Sequence, residues 1–137
     1  MHWQQLVQQV RYSGRYATGA EAERVLRAVL IVLGGHVSGD ERCELARLLP
    51  AEAALLISRQ IPLTQPLTAP DFVDAVAARL APISRPEARW ATSTVLSLLA
   101  QQAGEPLTRR ILAELPRGYA LLFGLAELAP AGAAAAA

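Results

Sequence analysis

Lysine is absent from this 137-residue chain, so all 13 basic residues are arginine. Two accounts fit: arginine used for bidentate grip on phosphate or carboxylate, or the codon bias of a GC-rich genome. The alanine run at the C-terminal end favours the second. Cysteine occurs once, as Cys43, which excludes an intramolecular disulfide framework. Aromatics make up only 5%, too few for a β-sandwich core, which draws on aromatic and β-branched residues. Charge of one sign is also lacking: the net charge is +1, so no global field draws the chain to nucleic acid or anionic lipid. Long apolar runs are missing too. The longest, Ala28 to Leu33, is too short to span a bilayer. The opening Met1-His2-Trp3-Gln4-Gln5 lacks the basic end and apolar stretch of a secretion signal. These absences predict a soluble cytoplasmic protein with no membrane partner.

What is present is apolar and helical. Hydrophobic residues reach 53% and charged residues 18%, which is too apolar for a disordered chain. Leu49-Pro50 recurs 66 positions on as Leu115-Pro116. The same shift aligns Val7 with Val73, Val10 with Val76, Val29-Leu30 with Val95-Leu96, and Leu33 with Leu99. It also aligns Thr18 and Glu21 with Ser84 and Glu87. Both pairs have the spacing of a capping box, in which the hydroxyl accepts from the third amide and the glutamate reaches back.

The pattern predicts an all-α fold: a tandem duplication of a four-helix unit, packed as one compact eight-helix domain with pseudo-twofold symmetry. The first helix carries Trp3, Leu6, Val7 and Val10 at i, i+3, i+4, i+7. The second follows Thr18, becomes apolar all round as a central helix does, and ends at Gly34-Gly35, a C-cap signal. Ser38 and Glu41 are expected to box the third, with Leu45, Leu48 and Leu49 facing the core. Pro50 is expected to open the fourth and Pro116 the eighth, because proline suits a first turn. The fifth, capped at Thr68, carries Phe72, Val73, Val76 and Leu80; the sixth follows Ser84; the seventh begins near Glu105-Pro106. Residues 1–129 form the predicted domain. Its repeats span 1–60 and 67–126, joined by a proline-containing linker, and 130–137 form a flexible alanine-rich tail. A unit of about sixty residues buries only about 60% of its chain surface, so the two apolar central helices are expected to shelter each other.

The runs Glu21 to Leu30, Val37-Ser38-Gly39 and Leu48-Leu49-Pro50, with their echoes at Glu87-Ala88, Val95-Leu96 and Leu115-Pro116, resemble the bacterial family known as domain of unknown function 2267. The resemblance covers nearly the whole chain, to about Glu127. It implies small cytosolic helical proteins with no agreed activity and no accepted catalytic residues, so no site residues carry over.

Residue chemistry points the same way. A zinc site needs three or four ligands, typically in short-spaced Cys or His pairs, whereas His36 and Cys43 are seven apart and His2 is distant. His36 reads as a polar loop residue. Asp71 and Asp74, one turn apart, suit the positive end of a helix dipole better than a catalytic carboxylate pair. No catalytic, cofactor or metal residues are therefore expected, and no enzyme. The expected function is a non-enzymatic protein-interaction or regulatory module with an unidentified protein partner or a second copy of itself. Expected contact residues are Tyr12, Arg15, Tyr16, Arg109, Arg110 and Tyr119, with Phe123 beside them. Two alternatives stay open. One is a small molecule held between the repeats by Val29, Leu33, Val95 and Leu99. The other is weak nucleic-acid binding by the interleaved Arg11-Tyr12-Ser13-Gly14-Arg15-Tyr16 and by Arg109, Arg110 and Arg117. Arg109 and Arg110 also stand four from Glu105 and Glu114, spacings that suit ion pairs along one helix.

Overall fold

The computed structural model describes residues 1–125, so the predicted tail at 130–137 lies outside the described residues, as does position 126. The described residues form helices and no strand: α1 (Trp3–Gly14), α2 (Gly19–Gly34), α3 (Gly39–Leu48), α4 (Ala51–Ser58), α5 (Ala69–Leu80), α6 (Arg85–Ala103), α7 (Glu105–Ala113) and α8 (Tyr119–Leu122).

Local chemistry sets most helix starts. The Thr18 hydroxyl accepts from the Glu21 amide at 3.1 Å, and Thr68 accepts from Asp71 at 3.2 Å. Ser84 forms the full reciprocal box: its hydroxyl accepts from the Glu87 amide at 3.2 Å, and its own amide donates to the Glu87 carboxylate at 3.1 Å. Those bonds hold the Glu87 carboxyl below the usual carboxylate range. The expected box at Ser38 does not form. Ser38 makes no side-chain cap bond, and Glu41 instead faces the Arg110 guanidinium at 3.7 Å. The proline expectations also need correction. Pro50 is the cap before α4 rather than its first residue. The last helix starts at Tyr119 instead of Pro116, because Gly118 at φ +99° interrupts the right-handed path just before it.

Two helices form the centre. α2 packs on α1, α4, α5 and α6, while α6 packs on α1, α2, α5, α7 and α8. Trp3, Leu6, Val7 and Val10 of α1 meet Phe72, Val73, Val76 and Leu80 of α5 in one buried cluster with Leu26, Leu30, Leu96 and Leu99. Within the third and fourth helices the buried anchors are Leu45, Ala53 and Ile57; Leu48, expected inside, is 45% exposed. Gly34 ends α2 for a packing reason. A Cβ there would stand 2.8 Å from the Ile57 carbonyl oxygen, so only glycine lets α2 approach α4 this closely. Gly35, the cap itself, keeps right-handed angles.

The ends of these helices are stitched by one side chain. Arg42 donates to the carbonyls of Val37 (2.9 Å), Ser58 (3.3 Å) and Gln60 (2.8 Å), and to that of Gly34. The last four carbonyls of any helix lack partners within it, and Arg42 supplies donors at the ends of α2 and α4 together.

His36 corrects the sequence expectation most sharply. It is buried rather than a polar loop residue. Its Nδ1 lies 2.9 Å from the Val32 carbonyl, and its Nε2 accepts from the Leu67 amide at 3.1 Å. These partners fix a neutral imidazole with the proton on Nδ1. Burial lowers its pKa, outweighing the opposite pull of the Val32 carbonyl. As pH falls, the unfolded imidazole therefore takes up its proton first, near pH ~6.5, and the unfolded state binds more protons than the folded one. His36 is expected to support stability fully above that value and to lose its contribution as pH drops through the lower folded value. Thermal melting between pH 8 and 5 tests this: the native chain should lose more melting temperature on acidification than His36→Gln. Equal losses would remove His36 from the account.

Candidate functional site

The residues expected to meet a partner fall into three separate environments. Tyr12 is 78% exposed on α1. Arg15 ends that helix in the left-handed region at φ 58°, a conformation that costs a non-glycine residue something to hold. Tyr16 follows, half-buried, with its hydroxyl buried and without a hydrogen-bond partner. Burial, then the nearby Glu21 and Glu87 carboxylates, pushes its phenol up to about 12. Arg15 and Tyr16 line a surface cleft of about 510 Å³ with Glu21, Arg24, Glu87 and Trp90.

Trp90 is the residue that sequence reasoning missed. It is half-exposed, yet its ring is held: the indole N–H donates to the Gly14 carbonyl at 2.9 Å, from α6 to the end of α1. On the same cleft Arg24 of α2 donates to the Leu80 carbonyl at 3.1 Å, at the end of α5. No local pattern marks Trp90, because its partner is 76 positions away.

The second group, on α7, is occupied. Arg109 pairs with Glu105 at 2.5 Å, as the spacing suggested. Arg110 does not turn to Glu114. It reaches α3 and grips both oxygens of Glu44 at 2.8 and 2.9 Å. That bidentate bond lowers the Glu44 pKa and raises that of Arg110. Both arginines are thus engaged by carboxylates, which weakens the case for a phosphate-binding patch here.

The third group is a correction. Tyr119 and Phe123 are buried, at 1% and 4% exposure, and cannot meet a partner. The Tyr119 ring stands edge-on to Phe72 at 5.6 Å, and its hydroxyl donates to the Leu67 carbonyl at 2.7 Å. Burial, helped by Asp71, raises its pKa above the ordinary phenol value. An amphipathic ring at the start of a one-turn helix is compatible with surface or core in sequence. Here the Leu67 carbonyl needed a donor and the Phe72 ring needed a neighbour.

The small-molecule pocket expected among Val29, Leu33, Val95 and Leu99 is also corrected. All four are buried in the common core, and the void beside Leu33 and Leu99 holds about 10 Å³, room for one water at most. Among the described residues no three His, Cys, Asp or Glu side chains gather as metal ligands would. His36 has both ring nitrogens engaged, Asp74 faces Arg85 at 3.4 Å, and Cys43 is exposed. No helix among the described residues is long and apolar enough to cross a membrane.

No curated protein matches the chain. Residues 3–122 match the family described as an uncharacterized conserved protein, DUF2267, and the chain belongs to that family.

Proposed function

We propose that this chain is a non-enzymatic protein-interaction or regulatory module, built on a tandem duplication whose halves pack about a pseudo-twofold axis. Several correspondences support the duplication. Helices α1 and α5 start 66 positions apart, at Trp3 and Ala69; α2 and α6 do so at Gly19 and Arg85; α3 and α7 at Gly39 and Glu105. The bonds between the halves are reciprocal under the same shift. Arg24 donates to Leu80, and the residue matching Arg24, Trp90, donates to Gly14, which matches Leu80. Arg110 binds Glu44, its own counterpart, as happens on a twofold axis.

The interaction reading rests on one observation: Trp90, half-exposed and already fixed by its bond to Gly14, beside Arg15 and Tyr16 on the open cleft. Tryptophan, tyrosine and arginine dominate the energetics of protein interfaces. A ring held before binding loses little further freedom. Tyr12 lies on α1, two residues before Gly14 of the cleft, and it offers an exposed handle. A photo-crosslinker at Tyr12 in the native host should join one partner reproducibly. That partner, purified, should bind the native chain and bind Trp90→Ala about 30-fold more weakly, with helical circular dichroism unchanged. Equal binding to both chains, or catalytic turnover by the purified protein, would defeat the reading.

A further inference from the structure

At one matched position the first half has an indole and the second has a space. In the first half Trp3 of α1 is 6% exposed and lies against α2. Its N–H donates to Glu23 at 3.2 Å, and Arg27 lies over its ring at 5.0 Å. In the second half the position matching Trp3 is Ala69, and the position matching Glu23 is Arg89. Both line a groove of about 490 Å³ between α5, α6 and the turn into α8. Its floor is apolar, with Val73, Pro86 and the half-exposed Leu121, and Arg117 stands on its edge. Arg85 is already paired with Asp74. Arg89 and Arg117 make no ion pair among the described residues.

We propose that this groove receives an aromatic side chain carried on an acidic segment of a partner protein. The inference rests on the interaction-module reading for the class of occupant, and on the duplication for the comparison of halves. Shape supplies the aromatic: α5 and α6 start 66 positions after α1 and α2, the pair that holds an indole in the first half, but Ala69 stands where the indole would be and the turn into α8 closes the groove instead. Charge supplies the acid: two arginines line the site where the first half presents Glu23. The site is a groove and not a closed cavity, so the chain on both sides of a bound ring has room to leave it. Its volume lies in the range of sites that recognise small groups, about 300–1,000 Å³.

The test uses the full chain and a labelled, blocked five-residue peptide with a central tryptophan and two acidic residues on each side, followed by fluorescence anisotropy. Saturable binding is expected. It should disappear when the central tryptophan is replaced by alanine, and when the flanks are made basic. Arg89→Glu, which copies the charge of the first half, should weaken binding by about tenfold or more. Ala69→Trp, which refills the groove, should block binding and raise the melting temperature. Should Ala69→Trp unfold against Gly118, whose added Cβ would lie 3.2 Å from the Ala69 Cβ, the exposed pair Arg89→Glu and Arg117→Glu carries the test alone. Absence of binding, or binding indifferent to Arg89→Glu, overturns the proposal. So does indole-3-acetate binding as tightly as the peptide, which would mark the groove as a small-molecule site. None of these failures touches crosslinking at Tyr12, so loss of this inference and loss of the interaction reading are separately visible.

Discussion

Arg42→Ala is expected to lower the unfolding free energy by about 3 kcal/mol, with a fall in melting temperature of roughly 10 °C. The guanidinium donates to four carbonyls drawn from two helix ends and the turns that follow them: Gly34 and Val37 at the end of α2, Ser58 and Gln60 at the end of α4. Hydrogen bonds from a charged donor are each worth more than neutral ones, and a partly buried carbonyl left unpaired costs a further increment. Several of these acceptors are only partly buried and can recover water, which keeps the estimate below the sum of its parts. Arg42→Lys should recover less than half of the loss, since one ammonium cannot span donors that a planar fork presents in several directions. Thermal and urea melts followed by circular dichroism decide the matter. A variant melting within about 2 °C of the native chain would mean that solvent replaces these bonds at no cost.

Tyr119→Ala is expected to destabilise by about 4 kcal/mol, the largest effect of any single truncation proposed here. The ring is almost wholly buried against Phe72 and within 6.3 Å of His36, so its removal leaves a cavity where α5, α8 and the linker meet. Tyr119→Phe separates packing from hydrogen bonding. It keeps the ring and removes only the bond to the Leu67 carbonyl, which predicts about 1 kcal/mol. Leu67 is held on both sides, its amide by His36 and its carbonyl by Tyr119. Amide exchange at Leu67 should therefore quicken in Tyr119→Phe more than exchange in the middle of α2. If the two substitutions cost the same, the ring is not packed as described.

Local signals are readable in the sequence where partners lie within one helical turn and no distant group competes for them. Thr18, Thr68 and Ser84 cap as their spacing to Glu21, Asp71 and Glu87 predicts. Arg109 finds Glu105 four residues back. The apolar faces of α1, α5 and α6 are all buried where periodicity puts them. The same reasoning failed at Ser38, Leu48 and Arg110, each a case where a local preference competes with something distant. Glu41 has Arg110 to face; Arg110 has Glu44 on another helix; Leu48 sits at a helix end with no element covering it.

The candidate site was less legible than the fold. Arg15 and Tyr16 drew notice because basic and aromatic residues alternate there, and they do reach the cleft. Trp90, the ring that gives the cleft its character, carries no local signal, because the Gly14 carbonyl that holds it lies 76 positions away. Tyr119, on one of the shorter helices, reads as surface in sequence, because the acceptor that draws it inward lies 52 positions away.

By itself, the order of residues determined where most helices start, which faces of α1, α5 and α6 turn inward, and that no strand forms among the described residues. Those outcomes follow from contacts within a few positions, where spacing is geometry. Tertiary structure alone decided that His36 is buried and neutral, that Arg42 joins two helix ends, and that a groove opens where Ala69 stands in place of an indole. Each of these depends on which distant atoms arrive beside a side chain, and a linear pattern carries no distance between segments that meet only on folding.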